Sequence, residues 1–298
     1  MKISNIKNQN AKIFNKYDYE FLSKFFKSVT TYILFVNRRF IYYFKLWLFM
    51  SKNAFLVYIL DRFSFSIFLF GKVMRFLMYF VFLYFLVKGT KTLAGYNVNQ
   101  TIFFFLTFNV IDILAQFLYR EAYRFRSLII SGGFDLVLAK PVNPLFRSLL
   151  GGADLIDLVT IPPLFVATYY VGSLLNPTFI NAILYLLLLI NGFIIATSFY
   201  IAVLALGIVT LEIDHTIMIY RDMIALGRLP LDIYKEPVRS ILTFLVPVGV
   251  MISYPAKAMI GLISIQGIIV SFGLAGISMF LSIRLWKFAL KKYTSASS

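Results

Sequence analysis

The longest uncharged stretch of this chain limits the folds that it can adopt. From Leu158 to Leu211, 54 consecutive residues carry no charged side chain, and the turn-forming sequence GSLLNPT at 172–178 divides them. One membrane-spanning helix needs about 20 apolar residues, so the stretch accommodates two spans joined by a turn. The chain of 298 residues is 60% hydrophobic and 14% charged, which leaves too few polar side chains to cover a water-soluble surface. We therefore expect an all-α, polytopic membrane protein.

Six apolar segments have the length and composition of transmembrane helices. They are Phe63–Val87, Thr101–Tyr119, Leu155–Leu175, Phe179–Leu211, Ser240–Ala256 and Leu262–Ile283. No internal repeat or linker divides the chain, so we expect a single transmembrane domain over residues 1–298. In this domain residues 1–62 form a tail and an interfacial helix, residues 63–283 form the six-span bundle, and residues 284–298 form a second tail.

The distribution of lysine and arginine predicts the orientation of the bundle, because cytoplasmic flanks of membrane spans collect these residues. With the N-terminus inside, 24 of the 29 lie in inner segments and two lie inside the first span. The other three, Lys88, Lys91 and Lys257, lie in outer connections. We therefore expect both termini and the loops at about 120–153 and 211–239 on the cytoplasmic face. The net charge of +16 then indicates contact with anionic lipid rather than with nucleic acid.

A basic and aromatic segment precedes the first span. Its polar positions recur every seven residues, at Lys24, Thr31, Arg38, Lys45 and Lys52. A helix with one narrow basic stripe and a wide apolar face is typical of the membrane interface. The alternative, an additional span over Tyr32–Leu60, would place several cations in the hydrocarbon region, which is costly.

Three charged residues lie within the predicted spans. Lys72 and Arg75 occur in the first span and Asp112 in the second. Charge is expensive to place in lipid, so each of them is a candidate functional residue. We expect Lys72 and Arg75 to extend toward the inner headgroups, and we expect Asp112 to pair with one of them. In a second interpretation Asp112 is the proton or cation site of a secondary transporter or channel.

The chain lacks the usual signatures of an enzyme. It has no cysteine, one histidine, and none of the patterns HExxH, GxSxG or GxxxxGK[ST]. We expect that histidine, His215, to be a solvated loop residue. Asp154 and Asp157 form a DxxD pair, which in a membrane transferase would hold a metal ion. They also open the third predicted span, where carboxylates cap a helix, and we favour capping over the transferase alternative.

The predicted loop between the second and third spans carries a recognisable pattern. It reads SGGFDLVLAKPVNPLF over residues 131–146. This loop resembles the cytoplasmic signature of type-2 ABC transporter permeases, in the branch of compact six-span bacterial exporter subunits. The residues that fill the pattern are Ile129 or Ile130, Gly133, Phe134, Asp135, Leu138, Lys140, Pro141, Val142, Asn143, Pro144, Leu145 and Phe146. The acidic residue that commonly precedes the aspartate step is missing, and Gly133-Phe134 stands in its place.

Two further stretches resemble the same family. The segment at 227–256 is similar to a second family pattern, and its matching residues are Gly227, Arg228, Pro230, Leu231, Ile233, Tyr234, Arg239, Pro247, Pro255 and Ala256. The sequence AGYNVNQTIFFFL at 94–106 is similar to the family's entry into its second span, with Tyr96 in place of a tryptophan and Gln100 in place of an acid.

The resemblance implies the permease half of an ATP-driven exporter in the bacterial cytoplasmic membrane. Such a permease forms the translocation pathway as a homodimer, or beside a second related permease, and binds separate ABC ATPase subunits. ATP and magnesium would be held by the ATPase, so we expect no catalysis, cofactor or metal in this chain. The resemblance also implies an amphipathic connecting helix before the first span and a small outer re-entrant element after Pro255. The apolar spans suit a hydrophobic or amphipathic cargo.

The resemblance further implies that the first inner loop contacts the ATPase. The segment Glu121–Leu128 is the candidate coupling helix, and the two prolines after it would stiffen the return path by denying a helix. The candidate contact residues of this loop are Glu121, Arg124, Arg126, Gly133, Asp135, Lys140, Pro141, Asn143 and Pro144. Those of a second inner loop are Arg228, Pro230 and Tyr234.

Overall fold

The structure is a computed structural model that describes residues 38–56, 58–210 and 213–294. The chain divides into two compact units, Met1–Phe49 and Met50–Ser298. In the first unit residues 38–49 are helical, and the rings of Phe40 and Phe44 stack with their centroids 6.2 Å apart. The predicted interfacial helix is therefore helical over these residues, while its positions Lys24 and Thr31 lie outside the described part of the chain.

The second unit consists of helices, and its described residues contain no β-strand. Residues 50–56 form α1, and residues 58–60 are also helical. The five long helices are α2 (Arg62–Thr90), α3 (Val98–Leu118), α7 (Leu155–Ser173), α8 (Phe179–Thr210) and α12 (Ile265–Lys292). The short helices are α4 (Phe125–Ile130), α5 (Gly133–Ala139), α6 (Pro144–Leu149), α9 (Ile213–Ala225), α10 (Val238–Ser240) and α11 (Val248–Ile260). Single 3₁₀ turns occupy Arg120–Arg124, Leu226–Arg228 and Leu231–Ile233, and a π turn occupies Ile241–Leu245.

The predicted fold class is confirmed. All five long helices are long and apolar enough to cross a membrane, and each begins and ends within several residues of a predicted span, apart from the end of α12, which continues to Lys292. The protein is therefore an all-α, multi-pass membrane protein.

Helix α3 lies at the centre of the second unit. All of its residues from Thr101 to Ile111 are buried, and it packs against α2, α7, α8 and α11. The helix begins at a capping box, in which the Asn97 side chain accepts from Gln100 N (2.9 Å) and the Gln100 side chain accepts from Asn97 N (3.0 Å). Gln100, which replaces an acid of the family pattern, thus serves as the cap partner.

Small and polar residues hold α8 against its neighbours. The Nδ2 atom of Asn191 donates to the carbonyl oxygen (3.0 Å) and the Oγ atom (2.7 Å) of Ser271 in α12. Gly192 lets α11 approach closely, since a Cβ atom there would overlap the Met251 carbonyl oxygen and lie 3.2 Å from Ile111 Cδ1. Close packing and interhelical hydrogen bonds are what hold helices together in lipid.

The connections between helices mark two ends of the bundle. We call the end that carries residues 120–153 the loop end, and the end that carries the 91–97 turn between α2 and α3 the turn end. At the loop end, Arg126 Nη1 binds Asp214 Oδ2 at 2.9 Å. At the turn end, the Tyr96 hydroxyl donates to Asp232 Oδ2 at 2.7 Å. Residues 213–228 therefore run from the loop end toward the turn end.

The segment predicted as a fifth span, Ser240–Ala256, does not form one continuous helix. Val238–Leu245 and Val248–Ile260 meet at 91°, across a break next to Pro247, which has no N–H to donate and cannot continue the preceding helix. Arg239 Nη2 and Lys257 Nζ, one from each arm, bind Asp232 oxygens at 3.0 and 2.8 Å. Because both arms reach the turn end, they form a re-entrant hairpin, and residues 213–228 make the fifth passage.

The re-entrant element implied by the family resemblance is present but lies earlier in the sequence than expected. Pro255, after which it was expected, lies inside the second arm of the hairpin, in α11. The chain after Ile260 holds only a short connection, with Gly261 in the left-handed region at φ 77°, before α12 begins.

Candidate functional site

The 120–153 segment folds into short helical pieces rather than one coupling helix. The predicted helix Glu121–Leu128 is wrong in its bounds, because Arg120–Arg124 is a 3₁₀ turn and α4 begins at Phe125. Gly132, at φ 71°, separates α4 from α5. Pro144 does not deny a helix as expected: it is the first residue of α6, a position that suits proline, and the Asn143 side chain caps that helix by accepting from Leu145 N at 2.9 Å.

Two ion pairs tie the start of this segment to its end. Glu121 is buried and its Oε1 atom binds Arg147 Nη1 at 2.8 Å. Arg120 Nε binds Asp154 Oδ2 at 3.1 Å. Gly151 makes the first pair possible, because a Cβ atom at this position would overlap the Arg147 guanidinium. The segment therefore closes on itself and is held as one body.

An aromatic cluster attaches this body to the C-terminal end of α12. The Phe134 ring packs edge-on against Phe125 (5.1 Å between centroids), Trp286 (6.5 Å) and Tyr293 (5.0 Å). The Tyr293 hydroxyl also donates to Asp135 Oδ1 at 2.9 Å. Burial, that hydrogen bond and the Asp135 charge together raise the pKa of Tyr293 to about 12. A displacement of the segment therefore reaches α12 directly.

The outer face of the segment combines apolar and cationic side chains. Ile130 and Leu136 are 61% and 66% exposed. The other exposed candidates are Arg124, Arg126, Lys140, Pro141 and Asn143. Gly133 and Asp135 are partly buried instead, and Glu121 is buried. Exposed aliphatic side chains at a helix-bundle end, ringed by polar residues, are typical of a surface that binds another protein.

The second candidate loop does not lie at the loop end. Pro230 is buried and Tyr234 donates from its hydroxyl to the Leu226 carbonyl oxygen at 2.7 Å, and the nearby Asp232 lies at the turn end as described above. The structure therefore places Pro230 and Tyr234 away from the loop end, and Arg228, Pro230 and Tyr234 do not extend the surface of the 120–153 segment. The charges of residues 211–239 are divided between a crossing segment and the turn end.

Asp232 is the central acceptor at the turn end. It receives hydrogen bonds from Tyr96, Arg239 and Lys257. Burial by itself would raise the pKa of Asp232, but these hydrogen bonds and the charges of Lys257 and Arg239 lower it below its ordinary value of 3.8. The carboxylate thus joins the α2–α3 turn to both arms of the re-entrant hairpin.

The three intramembrane charges meet at one cavity, but they do not pair as expected. Lys72, Arg75 and Asp112 line it together with Arg228. Lys72 forms an ion pair with Asp157 in α7 rather than with Asp112 or with lipid headgroups. Within the described ranges no hydrogen bond or ion pair joins Asp112 to either cation.

The DxxD pair acts structurally. Asp154 caps α7, because its Oδ1 atom accepts from Ile156 N at 2.8 Å, so the capping prediction is confirmed for this residue. Asp157 serves the ion pair with Lys72 instead. The part of the chain that the structure describes holds no group of three or more potential metal ligands. His215 is exposed, but it lies on helix α9 rather than in a loop.

Sequence reasoning missed the residues that link the loop segment to the helices. Trp286 and Tyr293 lie near the C-terminus, where an aromatic residue next to lysines indicates a membrane interface as readily as a contact. It also missed a tyrosine cluster in which Tyr200 packs against Tyr119, Tyr123 and Tyr220 with centroids 5.0, 6.4 and 5.1 Å away. In the sequence only Tyr119 and Tyr123 are close together, four residues apart, while Tyr200 and Tyr220 lie on α8 and α9.

Comparison with known proteins now identifies the family. No curated protein and no solved structure matches the chain. A family model described as ABC-2 family transporter protein matches residues 73–297. That range contains the loop segment, the re-entrant hairpin and all of the long helices after α2. The chain therefore belongs to the ABC-2 transporter family, as a transmembrane permease component of an ABC transporter.

Proposed function

We propose that this permease forms the translocation pathway of an ATP-driven exporter and that its loop end binds a separate ABC ATPase subunit. The observation that carries the proposal is the closed 120–153 segment. It presents Ile130 and Leu136 on its outer face, while its inner face is fixed to α12 through Phe134. A docking surface that is also rigidly attached to a span is what ATP-driven coupling requires.

The charge distribution supports a cytoplasmic loop end. The segment carries Arg124, Arg126 and Lys140 as exposed cations, and the C-terminal lysines at the end of α12 lie at this same end. Cytoplasmic segments collect such residues. We therefore expect the loop end to lie on the cytoplasmic side of a bacterial inner membrane, where ATPase subunits reach it.

Nucleotide chemistry belongs to the partner in this proposal. The sequence contains no GxxxxGK[ST] loop to hold phosphates. ATP and magnesium are bound by the ATPase, and closure of two ATPases pushes on the loop segments of two permeases, which are identical copies or a related pair. The ion pairs Glu121–Arg147 and Arg120–Asp154 keep the segment from absorbing that displacement.

Charge placed on the exposed aliphatic face tests the proposal. In the double variant Ile130→Asp and Leu136→Asp, we expect co-purification of the ATPase subunit to fall at least tenfold, because a buried unpaired carboxylate costs several kcal/mol in an interface. The matched control is Leu262→Asp, which alters a side chain 59% exposed at the turn end.

The readouts are capture of the ATPase from the native host and ATP-dependent transport in proteoliposomes. The control is expected to keep both. If the double variant captures the ATPase as well as the parent chain does, the loop end is not the docking surface. If the parent chain captures no ATPase and transport runs on a proton gradient alone, the exporter proposal itself fails.

A further inference from the structure

A charged cavity lies among α2, α3 and the 3₁₀ turn after α9. Lys72 and Arg75 reach it from α2, Asp112 from α3 and Arg228 from the turn. Arg75 is the fourteenth of the 29 residues of α2. At a rise of 1.5 Å per residue it lies roughly 20 Å from the helix start, close to the middle of the span. Asp112 lies six residues before the end of α3 at the loop end, so the cavity holds charge within the membrane-spanning part of the bundle, on the loop-end side of its middle.

Cations exceed carboxylates around this cavity. Asp157 pairs with Lys72, and Asp112 is the carboxylate among the lining residues. Arg75 and Arg228 remain, and within the described ranges neither has a carboxylate oxygen within 4.0 Å. The Arg228 guanidinium instead lies over the rings of Tyr79 (5.4 Å) and Phe108 (5.5 Å), which orients it toward the cavity. Such a surplus is costly in lipid unless an anion joins it.

An apolar crevice continues from the cavity. It has a volume of about 240 Å³ and runs between α2, α3 and α7. It shares Lys72, Phe76 and Ile113 with the charged cavity. Its far wall consists of aliphatic and proline side chains, such as Leu164 and Pro163. A ligand that occupies both spaces must therefore carry a charged group at one end and an apolar chain at the other.

We propose that the cavity and the crevice together bind an anionic amphiphile, with its phosphate, sulfonate or carboxylate group on Arg75 and Arg228 and its apolar chain in the crevice. Guanidinium groups suit this task because they bind such anions through two parallel hydrogen bonds. The assignment of the amphiphile as the exported cargo rests on the proposed function. The binding site itself does not.

Asp112 has a defined role in this site. It faces the same cavity as the two arginines, so its charge opposes an incoming anion. The carboxylate weakens binding and keeps the ligand exchangeable, which a transport site requires. This differs from a proton-coupled transporter, in which Asp112 is essential: removal of its charge should here strengthen binding of the anion.

The test uses the full chain in phosphatidylcholine nanodiscs and a fluorescent dodecyl phosphate, with empty nanodiscs as the baseline. Arg75→Gln and Arg228→Gln are each expected to weaken binding about tenfold, since each removes a charged hydrogen-bond donor. Asp112→Asn is expected to tighten it several-fold. Lys88→Gln, which removes a cation from the turn end of the same helix, is the matched control.

The apolar part of the site has its own variant pair. Ala167→Trp fills the crevice and is expected to weaken dodecyl phosphate at least tenfold. Ala182→Trp fills a different cavity, between α3, α7 and α8, and is expected to leave binding unchanged. Thermal unfolding of each variant identifies any that fail to fold, and Arg75→Lys, which keeps the charge, should restore part of the affinity.

Competition identifies the ligand. If dodecyl trimethylammonium displaces the probe as effectively as unlabelled dodecyl phosphate, the site is not selective for anions. If inorganic phosphate is equally effective, the crevice plays no part in binding. Equal potency of phosphatidylglycerol would identify a resident lipid and overturn the cargo assignment. None of these measurements needs an ATPase, so a failed capture of that subunit counts against the proposed function alone.

Discussion

Gly151 offers the sharpest test of the closed loop segment. A Cβ atom at this position would overlap the Arg147 guanidinium, lie 2.5 Å from Glu121 Cγ and lie 2.7 Å from the Arg147 carbonyl oxygen. The first two atoms belong to side chains that can move, but the third is backbone. Gly151→Ala must therefore break the Glu121–Arg147 ion pair and shift the end of α6.

The expected cost follows from the burial of the pair. Removal of one partner from a fully buried ion pair costs about 3–5 kcal/mol. Here the side chains of Glu121 and Arg147 are 11% and 30% exposed, so water recovers part of that loss. We expect Gly151→Ala to destabilise the protein by about 1–3 kcal/mol and to lower ATP-driven transport more than it lowers ATP hydrolysis.

Thermal unfolding in detergent and coupled transport in proteoliposomes measure the two effects. The matched control is Gly273→Ala in α12, where a Cβ atom would meet nothing within 4 Å and where alanine favours the helix by about 0.5–1 kcal/mol. The destabilisation in the double variant Gly151→Ala and Arg147→Ala should be less than the sum of the single effects, because both act on one ion pair. A Gly151→Ala protein as stable and as tightly coupled as the control would refute the reasoning.

Two further predictions concern the ends of the bundle. Asp232→Asn leaves Lys257 without its carboxylate, so we expect a loss of about 1–3 kcal/mol at neutral pH. Since the pKa of Asp232 is lower in the folded protein than its ordinary 3.8, this contribution is complete above pH 3.8 and is lost as the pH falls through the folded pKa. The difference between the melting temperatures of parent and variant should therefore stay constant from pH 7 to about pH 4 and shrink as the pH falls further, and a difference that does not shrink would contradict the assignment. Tyr293→Phe keeps the ring packed on Phe134 but removes the hydrogen bond to Asp135. We therefore expect the transport per ATP hydrolysed to fall several-fold, with a stability loss of about 1 kcal/mol. Unchanged coupling in the transport assay would show that the hydrogen bond only braces the loop.

The long helices could be predicted because apolar length alone determines them. Stretches such as Phe179–Thr210 contain no charge, so hydropathy, turn residues and lysine counts suffice to place them. The fifth passage could not be found in this way. Its residues include Arg221 and Asp222, which are exposed on the surface of α9, while the apolar sequence after Val238 satisfies every rule for a span and yet turns back at Pro247.

The candidate site was likewise predictable only in its local features and not in its long-range contacts. The family pattern located the 120–153 segment, because glycine and proline mark turns and helix ends that can be recognised from the local sequence. The partners of its side chains come from distant positions, as in the contacts of Arg147 with Glu121 and of Asp135 with Tyr293. No spacing rule links residues that are 158 positions apart. The choice of Asp157 rather than Asp112 as the partner of Lys72 likewise depends on how α2 packs against α7.

The charged fifth passage has a consequence for how the protein is made. With only 13 residues in α9 and both Arg221 and Asp222 among them, this segment is too polar to partition from the translocon into lipid on its own. Its apolar face, Ile217, Tyr220 and Ile224, is buried in the core cluster that also contains Tyr200 of α8. We therefore expect α8 to be inserted first and to serve as the surface on which the fifth passage assembles, so that the topology is completed by tertiary folding inside the membrane rather than by sequential insertion.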